Sequence, residues 1–409
     1  MFGKKINNAL LCLDLGTASV KSGVFEDENG QIKLKGFSSV PQEKGNIQSG
    51  NIIYLEKILR NVKESVKKSE NSAKMSPQNL VIGLSGEMVK GMSVKLQYAR
   101  ANADKRITAQ ELKTIIYELQ WQAFDIIREQ ISDEMSIPEI DLKLVNASIV
   151  SIRVDSEDVD DPRGMPGELI EMEIFNCFAS IQHFGQIQNI AVELPYHQLK
   201  GIFIQSFAIC HSLALRNPLE SSVVIDIGAG TTDICVLLDG KIVGNRSFAF
   251  GGNSLSKRIS HDLSTSFEEA EMIKFNYADN TLDNQSKKVV HEVLQSDIEI
   301  WISSLEFCLK ELPLKSLPEK FLLCGLSSLL EEFSTAILGH DWKQHFPMAN
   351  DIQVRHIEYS DIVPGDFSSE QLNPEFIPLV AVAYATFDLL YNNQSIEAIL
   401  NAIIADKGV

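Results

Sequence analysis

The chain carries the same short phosphate-turn pattern twice, and that repetition constrains its fold more than any other feature. The first copy is Leu13-Asp14-Leu15-Gly16-Thr17-Ala18-Ser19-Val20-Lys21, after the apolar run from Ala9. The second is Val223-Val224-Ile225-Asp226-Ile227-Gly228-Ala229-Gly230-Thr231-Thr232-Asp233, again after an apolar run. Each reads as a strand, an acidic residue, a glycine-containing tight turn and hydroxyl residues. Glycine lets the backbone turn sharply and aim its N–H groups at phosphate oxygens. An Asp at each strand end can hold a hydrated Mg²⁺, and Lys21 can reach a terminal phosphate as a point charge. A single such turn is a common hairpin; two copies heading two halves of one chain imply two hairpins gripping one triphosphate from opposite sides. The sequence has no G-x-x-x-x-G-K-[ST], so it is not a P-loop, and no strand leads into G-x-G-x-x-G.

The 409 residues allow two to four compact units. A formal net charge of -18 argues against nucleic acid and against nonspecific attraction to an anionic membrane. Six scattered cysteines form no C-x-x-C pair and several sit in strand-like apolar runs, the pattern of buried thiols in a reducing, cytoplasmic setting. No stretch reads as a signal peptide or a membrane span.

Residues 8–15 and 20–26 read as a hairpin, 31–37 as a third strand, 53–70 as a helix and 80–84 as a buried strand. An inserted unit over 86–170 follows, with alternating residues, then a helix opened by Thr108 and Glu111 as a capping box. It leaves through the loop Asp161-Pro162-Arg163-Gly164-Met165-Pro166-Gly167. Strands are expected at 169–182 and 189–193 and a helix at 197–214. Beyond the second hairpin come strands at 233–238 and 242–249, helices at 267–275 and 286–311, a strand at 321–325, a helix at 376–390 and a last one at 395–405. The resulting organisation is α/β, with two related lobes around a cleft.

With these motifs the chain resembles the actin-like ATPase superfamily and, within it, the FtsA family of bacterial cell-division proteins. Asp161 to Leu169 is similar to that family's D-P-x-G-M-x-G-x-x-L. Phe250-Gly251-Gly252-Asn253-Ser254-Leu255 is similar to its G-G-D turn, and Phe267 to Lys274 resembles its L-E-E-A-E-x-x-K helix. The resemblance implies an actin-like fold with an inserted FtsA-type subdomain. The first lobe would comprise 1–85 and 171–218, the inserted subdomain 86–170, and the second lobe 219–255 with 319–375. Its upper subdomain would be 256–318, and helices over 376–409 would return to the first lobe.

ATP and Mg²⁺ are the implied cofactors. Asp14 and Asp226 would orient Mg²⁺ through water. Gly16, Thr17, Gly228, Gly230, Thr231 and Thr232 would cradle phosphates, Lys21 would neutralise them, and Gly251 and Gly252 would also bind the nucleotide. Glu271 and Lys274 would face the ribose, although one helical turn apart they also read as an exposed ion pair. Gln205 stands where actin has a water-positioning glutamine; an amide is no general base, so hydrolysis would be slow at most, with Asp14, Gln205 and Asp226 as the reacting set. It also reads as an ordinary helix polar residue.

The adenosine motif would sit at Gly325, where relatives carry consecutive glycines and this chain has Leu326; Leu326→Gly is expected to tighten ATP by about 1 kcal/mol. Residues Lys287 to Leu312 occupy the place that in FtsA receives the tail of FtsZ, a tubulin homologue, yet no Lys or Arg lies between Glu292 and Leu309. The implied function is a filament-forming cytoskeletal adaptor in cell division, with self-association and an FtsZ-like partner. A PilM-like pilus-assembly adaptor and a small-molecule kinase are the alternatives. FtsA proteins reach the membrane through a basic amphipathic tail. Here Ile396, Ile399, Leu400, Ile403 and Ile404 form a stripe whose polar face carries Glu397 and Asp406 against Lys407. It is expected to dock on protein rather than on anionic lipid, leaving any membrane contact to a partner.

Overall fold

The computed structural model describes residues 9–364, 367, 372–391, 396, 399, 400 and 403. Two five-strand arrangements with the same pattern organise the chain. In the first lobe the spatial order is Gln198–Ile204, Asn79–Leu84, Ala9–Leu15, Ser19–Glu28, Gln31–Pro41. In the second lobe it is Gln353–His356, Lys320–Cys324, Ser222–Ile227, Thr232–Leu238, Lys241–Phe248. Both have an antiparallel run of three strands, with two further strands added in parallel to the first of them. The apolar runs Leu10–Leu13 and Val223–Ile225 are buried along their length, because helices cover the sheets and a strand hidden on both faces needs no alternation.

The first lobe is covered by Leu55–Ala73, which buries Ile58, Val62 and Val66 at helical spacing, and by Ile377–Tyr391 packed on Gln205–Arg216. Ala381, Ala383 and Ala385 are fully buried and keep that last crossing close. The second lobe is covered by Asn284–Lys310, whose Trp301 is fully buried and donates its indole N–H to Thr232 Oγ1 at 2.9 Å.

The second-lobe sheet continues past Lys241–Phe248 into the inserted unit through Val89–Ala99, Leu169–Ser180, Leu142–Val154 and Glu157–Asp158, making nine strands. The helix Ala109–Met135 packs on this extension with a core of its own that includes Leu119, Ile127, Ile152 and Ile174. Thr108 caps it, accepting from Glu111 N at 3.1 Å, while the Glu111 carboxylate pairs with buried Arg100 at 2.8 Å. The expected boundary at 170 falls inside Leu169–Ser180, whose Phe175, Cys177 and Ala179 belong to the main core.

Two expected elements differ. Residues 189–193 are not a strand; they end the helix Ile181–Val192, which Ser180 caps and which buries Ile187, Ile190 and Ala191 at helical spacing. The helix expected over 197–214 begins only at Gln205, because Gln198–Ile204 pairs in parallel with Asn79–Leu84 and completes the sheet edge. Pairing with a distant strand overrode the local pattern.

Part of the expected helix at 395–405, with Ile404, lies outside the described residues. Leu400 and Ile403 are buried in the inserted unit's core, with Ile396 and Ile399 packed against it. The apolar stripe therefore docks on the body of the protein. No helix among the described residues is long and apolar enough to cross a membrane.

His183 lies in this framework 3% exposed, with neither ring nitrogen hydrogen-bonded among the described residues. Burial pushes its pKa down to about 4. Above the unfolded value of roughly 6.5 the ring is neutral in both states and titration has no effect; below it the unfolded chain takes the proton first. Stability should therefore fall as pH drops from about 6.5 to about 4, by roughly 3 kcal/mol from this residue. Urea midpoints measured across that range should decline less steeply in His183→Phe.

Candidate functional site

The two hairpin turns meet at the cleft between the lobes. A Cβ built on Gly230 would stand 2.6 Å from Thr17 Oγ1, so the turns touch and only glycine fits. Around them opens a cleft lined by both turns and by the ends of the strands that carry them.

Asp14 ends its strand 3% exposed and uses both carboxylate oxygens. Oδ2 accepts from Lys21 Nζ at 2.8 Å and Oδ1 from Gln205 Nε2 at 2.6 Å. Lys21 faces Asp14 because the hairpin pairs the two residues directly. Gln205 is the first residue of its helix and reaches over Gly83, where a Cβ would lie 3.1 Å from its Nε2. Burial works against the Lys21 charge, but the Asp14 carboxylate, with Glu375 and Asp226 behind it, raises its pKa overall.

Asp226 ends the matching strand in the second lobe, 7% exposed. Burial pushes its pKa up to about 7, and the neighbouring charges of Asp233 and Asp14 add to the rise. Gly325 crosses directly over it: a Cβ there would lie 2.4 Å from Asp226 Oδ1, and its backbone sits at φ 81° and ψ 150°, a region essentially confined to glycine. Asp233 is held by Gly86 N at 2.8 Å, Thr231 Oγ1 at 3.0 Å and the Ser247 hydroxyl. Its pKa is still raised by burial, with those three donors acting against the rise.

Most of the residues singled out from sequence come together here. Asp14, Gly16, Thr17, Lys21, Gln205, Asp226, Gly228, Gly230, Thr231, Glu271, Lys274 and Gly325 all line the cleft. Gly251 and Gly252, expected to bind the nucleotide, do not line the cleft; they stand behind the second turn, where Gly252 N donates to Gly228 O at 3.0 Å. Thr232 is not brought to the cleft. It is fully buried, its hydroxyl donating to Phe250 O at 2.7 Å while accepting from Trp301. Alternation along Thr232–Leu238 turns it to the opposite face from Asp233.

Asp233, Ser85, Phe275, Ser327 and Glu375 also line the cleft, and sequence reading assigned none of them a role. Asp233 carried a signal, since it follows Asp226 at the same spacing as Lys21 follows Asp14. Glu375 and Ser85 come from distant segments without a motif.

The donor set fits phosphates with a hydrated divalent cation. Two glycine turns face each other, and Lys21, Asp14 and Asp226 are buried beside them.

Gly325→Ala would force a Cβ into Asp226 and strain the backbone. It should lower stability by about 1–3 kcal/mol, read as a shifted denaturant midpoint with an unchanged slope.

The model of the family "Cell division protein FtsA" matches residues 223–341. The chain is 24% identical over 377 residues to cell division protein FtsA of Streptococcus pneumoniae serotype 2, covering 86% of this chain and 78% of that one. To FtsA of Enterococcus hirae it is 24% identical over 379 residues, covering 86% and 80%. Among solved structures, a PilM-PilN type IV pilus biogenesis complex superposes with a TM-score of 0.62 at 19% identity, over 91% of this chain and 97% of that chain. In sequence the chain is thus similar to the cell division protein FtsA, and its fold is that of the actin-like ATPases.

Proposed function

We propose that this chain binds ATP with Mg²⁺ in the cleft, assembles into filaments and serves as an FtsA-like cytoskeletal adaptor in cell division. The observation that carries this reading is the meeting of two like hairpins at Thr17 and Gly230, over Asp14, Lys21, Gln205 and Asp226. Backbone N–H groups of the turns at Gly16, Ala229 and Gly230 would hold phosphate oxygens, with Thr17 and Thr231 beside them; the Gly228 N–H closes its own turn on Thr231 O at 3.0 Å. Lys21 would offset charge on the terminal phosphate. When bound, Mg²⁺ would supply positive charge next to Asp14 and Asp226, which would hold it through water. Glu271 would face the ribose.

Gln205 is held on Asp14 by its Nε2, leaving its carbonyl oxygen to orient a water. An amide cannot take the proton, so turnover is slow and the nucleotide acts chiefly by setting the cleft's conformation. The relatives named as cell division proteins support the process, and self-association with an FtsZ-like tubulin partner would be its expression. The docked apolar stripe supports cytoplasmic action, reaching the membrane through a partner.

A second reading, a pilus-assembly adaptor, draws on the likeness to the PilM-PilN complex. Capture of the chain's partner from its own cells separates the two by the identity of the protein retained.

Asp14→Ala and Asp226→Ala should each abolish Mg²⁺-dependent ATP binding in calorimetry while circular dichroism shows the fold intact. Unchanged affinity in both variants would overturn the assignment. Negative-stain micrographs of the wild-type protein should show filaments with ATP; pelleting that is identical without nucleotide, or absent with it, would remove assembly from the reading.

A further inference from the structure

We propose that Lys44 and Phe267 form a clasp between the two lobes, which closes the cleft beside the first hairpin turn and slows the release of nucleotide. The inference rests on the nucleotide reading above and adds a control of exchange to it.

One half of the clasp belongs to the second lobe. The helix Phe267–Ala278 brings Glu271, Lys274 and Ala278 to the cleft. Phe267 precedes Glu271 by four residues and Lys274 by seven. It therefore continues the same face of the helix one turn further, about 6 Å along the axis. Its ring is half-buried at the head of the helix.

The other half is a short post on the first lobe, residues 42–46, which follows the strand Gln31–Pro41. Backbone bonds fix the post at both ends. Gln42 N donates to Ala18 O at 2.8 Å, while Asn46 O accepts from Ile53 N at 2.8 Å and from Tyr54 N at 3.3 Å. Gln42 Nε2 also donates to Gly16 O at 3.0 Å, so the post stands on the first hairpin turn itself. From it Lys44 Nζ reaches the Phe267 ring, 3.6 Å from the ring centre. Lys44 is exposed and makes no ion pair among the described residues. What its charge meets is the ring face, where the quadrupole attracts a cation.

The contact thus ties the turn at Gly16 to the helix that carries Glu271. A nucleotide with its phosphates on that turn and its ribose on Glu271 is held by the same two parts. It leaves when they separate, and separating them breaks the clasp. A cation over an aromatic face at the surface is a weak bond, so the clasp slows exchange without sealing the cleft.

The test is rapid-filtration release of radiolabelled ATP from the full chain with Mg²⁺, chased with excess unlabelled ATP. Lys44→Met keeps the stem and drops the charge; Phe267→Leu keeps apolar bulk and drops the quadrupole. Each should speed release about two- to fivefold, the size of an exposed cation–π contact. The double variant should release no faster than the faster single one, because both changes remove one contact. Lys44→Arg should restore wild-type release. Neither side chain is in the core, so the variants are expected to fold, and thermal melts check this. Unchanged release in either single variant, a double variant showing the product of the two increases, or no rescue by Lys44→Arg would overturn the clasp and leave the nucleotide reading standing. Failure of the wild-type chain to bind ATP in calorimetry would overturn the nucleotide reading itself, and the clasp with it.

Discussion

Gly230 lies so close to Thr17 that no side chain fits between the two hairpin turns. This contact depends on both hairpins being held end-on, each by its own sheet. Asp14 pairs across its hairpin with Lys21 and in parallel with Gly83; Asp226 pairs with Asp233 and in parallel with Cys324. The two lobes solve the same problem with the same strand order. A cleft therefore forms at their shared end, where strands stop and backbone N–H groups are left without ladder partners.

The contact brings negative charges together. Asp14, Asp226 and Asp233 are each under 10% exposed, with Lys21 the buried cation among them. Each carboxylate is managed differently. Asp14 has Lys21 and Gln205 on its two oxygens. Asp233 has three neutral donors from three elements, one of them Gly86 N beyond the first lobe's strand. Asp226 has the least support and shows it in a pKa of about 7. There burial and the charges of Asp233 and Asp14 outweigh the attraction of Lys21.

Much of this was legible in the sequence because the cleft is built from contiguous motifs. D-x-G turns announce themselves within ten residues, and their repetition announces the two-lobed plan. The E-E-A-E-x-x-K helix likewise carries Glu271 and Lys274 to the cleft on local spacing alone. What was not legible depends on facing. Thr232 and Asp233 are neighbours, and only the pleat decides that one enters the core and the other the cleft. Glu375 lines the site from just ahead of the last long helix, 361 residues after Asp14, with no pattern to mark it. The strand Gln198–Ile204 reads as the start of a helix because its parallel partner lies more than a hundred residues away.

The inserted unit is joined to both lobes, by apolar packing of Phe175, Cys177 and Ala179 and by polar bonds on each side. On one side Gly244 and Asn245 pair with Met92 and Gly91, and Asn245 Nδ2 donates to Val89 O at 3.3 Å. On the other, the Asn146 side chain takes the place of a ladder partner: its Nδ2 donates to Ile202 O at 2.9 Å and its Oδ1 accepts from Ile204 N at 2.9 Å. The next residue along from Ile204 is Gln205, on Asp14. A single amide thus joins the outermost strand of the first lobe to the extension of the second-lobe sheet, one residue from the cleft. An asparagine can make this join because its amide presents a donor and an acceptor as a peptide group does. Any rearrangement of Gln205 on ligand binding has to be accommodated at this seam or carried through it into the inserted unit.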